Sequence, residues 1–153
     1  MHPEAGQLGQ PQGLVSKLLK VDLVEAYSPP RVSLESKNFG LKPGEAWDLT
    51  NGWDFNRKDH QEKAEEYLDR EKPLVLIGSP PCTPFSQLRT LNPQTEKARQ
   101  KWDAGVEHML FVFSLYRRQL KEGRVFLHEH HPTASLGVCE RFRNWLMRKE
   151  SQS

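Results

Sequence analysis

The chain has few of the features that mark secreted, membrane-spanning or strongly basic proteins. It holds two cysteines in 153 residues, too few for a disulfide scaffold, which indicates a reducing compartment such as the cytoplasm or the nucleus. No apolar run approaches the roughly 20 residues that a membrane-spanning helix needs, and the first residues lack an apolar signal segment. The net charge is only +2, so composition alone does not point to nucleic acid. We therefore expect a soluble protein without a membrane partner.

The length suits one domain behind a short leader. Residues 1–13 are rich in Gly, Gln and Pro and predict a disordered leader, and residues 14–150 predict one α/β domain. Near-continuous apolar runs around Val24, Leu76 and Phe126 predict buried parallel strands. Strands that alternate with helices imply a mostly parallel sheet. Helical patterns and end signals predict helices over residues 31–39, 57–70, 93–121 and 138–149.

A cysteine stands on a proline-rich turn that follows one of these runs. Residues 74–78 predict a strand that ends at Gly78, and the next prolines restrict the turn that carries Cys82. Ligands of open α/β sheets bind at the carboxyl ends of the strands. Cys82 is therefore a candidate nucleophile, while the more common role of a free cysteine is that of a small buried hydrophobic residue.

Residues 79–86, Ser-Pro-Pro-Cys-Thr-Pro-Phe-Ser, resemble the catalytic loop of the carbon-5 cytosine methyltransferases, and the lead-in is closest to the branch that methylates transfer RNA. The resemblance implies a three-layer, Rossmann-like methyltransferase domain, truncated after about five strands. It implies a methyltransferase that uses S-adenosylmethionine and acts on DNA or RNA. In that role Cys82 attacks carbon 6 of cytosine, and Glu129 relieves the negative charge that builds on the ring.

The resemblance also implies cofactor contacts along the same edge of the sheet. The turn after the first strand would border the methionine part of S-adenosylmethionine. Asp48 lies about 20 residues beyond this turn, the spacing of a ribose-binding carboxylate, and Asp54 would lie near the adenine. The predicted cofactor contacts are Glu25, Tyr27, Ser28, Asp48, Asp54 and Pro80.

Departures from the family pattern favour an alternative without catalysis. Pro29 and Pro30 stand where the family has a glycine-rich turn. Thr83 replaces a glutamine after the cysteine, and His130 replaces an asparagine after the glutamate. The chain also resembles methyltransferase-like segments of retroelement polyproteins of protist algae. The alternative is therefore a non-catalytic interaction module or a polyprotein fragment, whose fold a partner chain or a larger polyprotein would complete.

The histidines near the end of the last predicted strand raise the question of a zinc site. His128 and His130 share one face of a strand, because side chains alternate there. However, neither a C-x-x-C nor an H-x-x-x-H spacing accompanies them. We therefore predict no metal site.

Overall fold

Four parallel strands form one sheet in the computed structural model, which describes residues 20–81 and 95–129. The strands are β1 (Leu23–Ala26), β2 (Pro43–Trp47), β3 (Val75–Gly78) and β4 (Val125–His128). Their spatial order is β2-β1-β3-β4, and every pairing is parallel. The predicted leader, Cys82 itself and the predicted helix over residues 138–149 lie outside the described ranges.

The strand order places a crevice at one edge of the sheet. The chain moves from β1 to β2 on one side, and it then crosses to β3 and β4 on the other side. In open parallel sheets, ligands bind outside the carboxyl ends of the strands where the direction of winding reverses. Here that point lies at the ends of β1 and β3.

Helices connect the strands much as the sequence predicts. They are α1 (Val32–Ser36), α2 (Lys58–Glu71) and α3 (Glu96–Lys121), with 3-10 turns at Lys37–Phe39 and Leu49–Asn51. Gly40 ends the first helical segment with a φ of 72°, a left-handed conformation that glycine adopts without steric cost. None of the described helices is long and apolar enough to cross a membrane.

The hydrophobic core lies between the sheet and the two longer helices. Val24 and Leu76 project from the sheet and pack with Leu68 of α2 and Leu115 of α3. Glu25, the neighbour of Val24, projects to the opposite face and contacts α1. The described residues therefore form three layers, with α1 on one face and α2 and α3 on the other.

β4 is more exposed than its apolar sequence predicts. Val125 and Leu127 are 50% and 51% exposed, and Phe126 is 36% exposed, although its ring stacks on Tyr116 at 4.1 Å. β4 is the outer strand of the described sheet, whereas α1 packs against β1 and β2. The prediction that this strand is buried is therefore wrong. An apolar run predicts a strand but not its position in the sheet.

A buried glutamine joins the start of β4 to α3. The Gln119 Nε2 group donates hydrogen bonds to the carbonyl oxygens of Pro73 (3.1 Å) and Val125 (2.9 Å). Its Oε1 accepts a hydrogen bond from Arg124 Nε at 2.8 Å. Because buried polar groups need such partners, Gln119 fixes the start of β4 against α3.

Candidate functional site

A cleft of about 200 Å³ opens at the carboxyl edge of the sheet. Side chains that follow β1, β2 and β3 line it, and α3 closes one side. They include Tyr27, Asp48, Trp53, Asp54, Ser79 and His108. The cleft therefore lies where the strand order places the ligand site of an open parallel sheet.

Tyr27 enters the cleft from a strained turn. Its φ is 60°, a left-handed conformation that is unfavourable for a residue with a side chain. The Tyr27 N–H donates to the Trp47 carbonyl at 2.7 Å, which holds the turn to the end of β2. The Tyr27 hydroxyl lies 2.9 Å from Nδ1 of His108, and burial raises the pKa of this hydroxyl. The phenol therefore stays protonated and can donate.

Asp48 follows β2 and offers one free carboxylate oxygen. Its Oδ2 accepts hydrogen bonds from the Thr50 N–H at 3.1 Å and the Thr50 hydroxyl at 2.5 Å. Within residues 20–81 and 95–129, its Oδ1 has no hydrogen-bond partner. The side chain is thus oriented by Thr50 and retains an acceptor for a ligand hydroxyl.

Asp54 is held as an ionised carboxylate at the other end of the cleft. Its Oδ1 accepts hydrogen bonds from the backbone N–H of Asn56 (3.0 Å) and from Asn56 Nδ2 (2.8 Å). The backbone bond is the main cause of a lowered pKa of Asp54, with a further contribution from the side-chain bond. The Asp54 N–H donates to His60 Nδ1 at 3.0 Å. Asp54 therefore presents negative charge at neutral pH.

Trp47 lies behind the wall of the cleft and carries a buried donor without a partner in the described part of the chain. The residue is fully buried, and its indole N–H has no hydrogen-bond partner among the described residues. The Trp53 ring packs on it with the ring centroids 5.5 Å apart. A buried donor without a partner is rare in native proteins, and a ligand acceptor or a water would satisfy it.

Glu25, a predicted cofactor contact, does not line this cleft. It is 1% exposed on the opposite face of the sheet. Its carboxylate accepts hydrogen bonds from the Ser33 N–H (2.8 Å), the Ser33 hydroxyl (2.6 Å) and the Val32 N–H (3.2 Å). Glu25 therefore holds the start of α1 against β1.

Ser28 and Pro80 are two further predicted cofactor contacts outside the lining of this cleft. Ser28 is buried, and its hydroxyl donates to the Pro29 carbonyl at 2.8 Å and accepts from Arg31. Neither Ser28 nor Pro80 lines the cleft, whereas Pro81 does. Pro29 and Pro30 have no N–H, so this turn offers few backbone donors to a ligand.

The two strand ends that would carry catalysis lie side by side. The Glu129 N–H donates to the Gly78 carbonyl at 2.9 Å, and Glu129 Oε2 accepts a hydrogen bond from the Ser79 hydroxyl at 3.1 Å. Ser79 precedes Cys82 by three positions in the sequence. The structure thus brings Glu129 to the start of residues 79–86, while Cys82 lies outside the described ranges.

The sequence analysis did not predict two residues that line the cleft. His108 lies within the long α3, where its pattern resembles that of any polar residue on a helix. Asn56 lies in a polar loop and belongs to no motif. Their function depends on contacts between distant segments, with His108 and Tyr27 separated by 81 positions.

The described residues define a parallel α/β domain with a cleft at the carboxyl edge of its sheet. Comparisons of the chain with family models, curated proteins and solved structures found no significant match. Among the described residues, no group of three or more His, Cys, Asp or Glu is arranged to hold a metal ion.

Proposed function

We propose that this chain is a cytosine carbon-5 methyltransferase-like domain that binds S-adenosylmethionine and acts on DNA or RNA. One observation carries the proposal. Tyr27, Asp48 and Asp54 share one cleft, and Glu129 contacts Ser79 along the same edge of the sheet. A cofactor and a reacting base would therefore be neighbours.

The cleft suits the adenosine part of the cofactor. The free Oδ1 of Asp48 would accept a hydrogen bond from a ribose hydroxyl, and Asp54 would accept one from the amine of the base. Leu49, which is 71% exposed at the cleft, offers an apolar surface to the plane of the base. The volume of about 200 Å³ is below the roughly 300–1,000 Å³ of typical ligand pockets, so the methionine part would extend beyond it. When bound, S-adenosylmethionine supplies an electrophilic methyl group.

The chain's own residues would activate the cytosine. The Cys82 thiolate would form a bond with carbon 6, which places negative charge on the ring. Glu129 would relieve this charge at the N3 edge, and the Ser79 hydroxyl would orient its carboxyl group. The two groups must converge on one base that has left the base stack.

A second candidate is a non-catalytic module that keeps the nucleoside cleft. The turn after β1 favours it, because Pro29 and Pro30 cannot donate backbone hydrogen bonds and the Ser28 hydroxyl is already engaged. This candidate retains the fold and the cleft but lacks methyl transfer. Binding and catalysis must therefore be measured separately.

Replacing Asp48 with asparagine is expected to weaken the binding of S-adenosylmethionine about tenfold, since the ribose hydroxyl loses a charged acceptor. Asparagine retains an oxygen for the Thr50 contacts, so the fold should survive. Isothermal titration calorimetry at millimolar cofactor measures the change. Asp103→Asn, on the exposed part of α3, is the matched control and should bind like the wild type. Absence of binding to the wild type would refute the cofactor site.

A further inference from the structure

Four side chains of the cleft form a continuous hydrogen-bonded chain across the edge of the sheet. The Tyr27 hydroxyl lies 2.9 Å from His108 Nδ1, and His108 Nε2 lies 3.1 Å from Asn56 Oδ1. Asn56 Nδ2 then donates to Asp54 Oδ1 at 2.8 Å. These hydrogen bonds connect the turn after β1, the middle of α3 and the loop before α2.

For a neutral His108 ring, these four side chains can donate and accept in one direction only, although the Tyr27 hydroxyl also lies 3.4 Å from the His108 carbonyl oxygen. Asn56 must turn its amide nitrogen toward the Asp54 carboxylate, because a carboxylate only accepts. Its oxygen then faces His108, so Nε2 of His108 must carry a proton. The neutral ring accepts at Nδ1 from the Tyr27 hydroxyl. The opposite tautomer would attract the amide nitrogen of Asn56 and turn its oxygen toward Asp54.

We propose that His108 is a positioning residue of the cleft, whose Nε2–H orients Asn56 so that Asp54 is aligned to accept an N–H group of the ligand. The inference rests on the proposed function, because it assigns Asp54 the amine of an adenine-type base. The Asp54 carboxylate fixes the orientation of Asn56, which requires the Nε2–H tautomer of His108, and the Tyr27 hydroxyl donates to the Nδ1 atom that this tautomer leaves unprotonated. The ligand class is thus a nucleoside with an exocyclic amine.

Burial favours a neutral His108 ring although two carboxylates lie near it. The Tyr27 hydroxyl faces it from the turn after β1, Asp54 from the loop before α2, and Glu107 from α3 itself. Burial lowers the pKa of His108 below 6.5, and the two carboxylates oppose this effect only in part. The unfolded chain therefore takes up this proton at higher pH than the folded chain. The corresponding stability is present above pH 6.5 and is lost as the pH falls.

The tautomer can be measured without any ligand, by ¹⁵N NMR of the imidazole nitrogens in the full chain. We expect the Nε2–H form of His108 at pH 7, with a titration midpoint below that of an exposed histidine. In Tyr27→Phe the Nε2–H form should persist, because Asn56 and the Asp54 carboxylate still require it. An Nδ1–H tautomer in the wild type would overturn the proposal, whatever the cofactor binding shows.

Two substitutions separate positioning from packing. His108→Phe keeps a ring but removes both nitrogens, and it should weaken adenosine binding about tenfold. Inosine lacks the exocyclic amine, so its affinity should change little. His108→Gln retains an N–H donor near the Nε2 position and should restore the preference for adenosine.

Other results of these binding measurements would contradict the positioning role of His108. Equal losses for adenosine and inosine would mean that His108 only supports the fold, and an unchanged affinity in His108→Phe would refute the role outright. Lys101→Gln, an exposed change on α3, is the control and should bind both nucleosides normally. If the wild type binds no nucleoside, the ligand role of this hydrogen-bonded chain is overturned together with the proposed function. The tautomer measurement still shows whether the hydrogen-bonded chain itself exists.

Discussion

Cys82→Ala is expected to abolish the covalent adduct with a 5-fluorocytosine oligonucleotide, and Glu129→Gln to slow its formation at least ~100-fold. The first change removes the atom that bonds to carbon 6. The second removes the acid that relieves charge on the ring, while the amide can still accept from Ser79. Adduct formation in the presence of S-adenosylmethionine is followed by denaturing electrophoresis and mass spectrometry.

Cys139→Ala is the matched control for the thiol, because it removes the only other cysteine of the chain. This variant should form the adduct at the rate of the wild type. An adduct through Cys139, or a Glu129→Gln rate equal to that of the wild type, would contradict the assigned pair. If the wild type binds the cofactor but traps no oligonucleotide, this chain alone is a degenerate or truncated form that does not activate cytosine.

Glu25→Ala is expected to destabilise the protein by about 2–4 kcal/mol, because it leaves two buried donors and one part-buried donor without this acceptor. These donors are the N–H groups of Val32 and Ser33 and the Ser33 hydroxyl. Urea denaturation measures the change. Glu25→Gln keeps one acceptor oxygen and should cost less. Glu62→Ala, an exposed change on α2, should leave the free energy of unfolding nearly unchanged.

The same variants decide whether Glu25 touches the cofactor. In the structure its carboxylate faces α1, so Glu25→Gln should bind S-adenosylmethionine with the affinity of the wild type under conditions where both are folded. A folded Glu25→Gln protein that no longer binds would show that Glu25 is a cofactor residue. That result would contradict its assignment to the start of α1.

The sequence could predict the strands from their apolar runs, and the location of the candidate site from the strand ends. Near-continuous apolar runs predict strands, and parallel strands bring their carboxyl ends to one edge. The positions of Tyr27, Asp48 and Asp54 along one cleft follow from this rule. Glu129 beside Ser79 follows from it as well, because β3 and β4 are neighbours.

The features that the sequence could not predict depend on how distant segments pack together. Glu25 alternates to the face opposite the core, but its buried environment depends on where α1 packs. The exposure of Leu127 depends on which strand is outermost. His108 reaches the cleft because a helix of 26 residues passes the carboxyl edge of the sheet at that position. No local pattern records such a contact.

The position of the bound cofactor is the most direct test of the proposed function. Titration of ¹⁵N-tryptophan-labelled protein with S-adenosylmethionine should shift the indole signals of Trp47 and Trp53, which lie at the cleft, and leave that of Trp102 on α3 nearly unchanged. Saturation at millimolar cofactor without a shift of either cleft tryptophan would contradict the account.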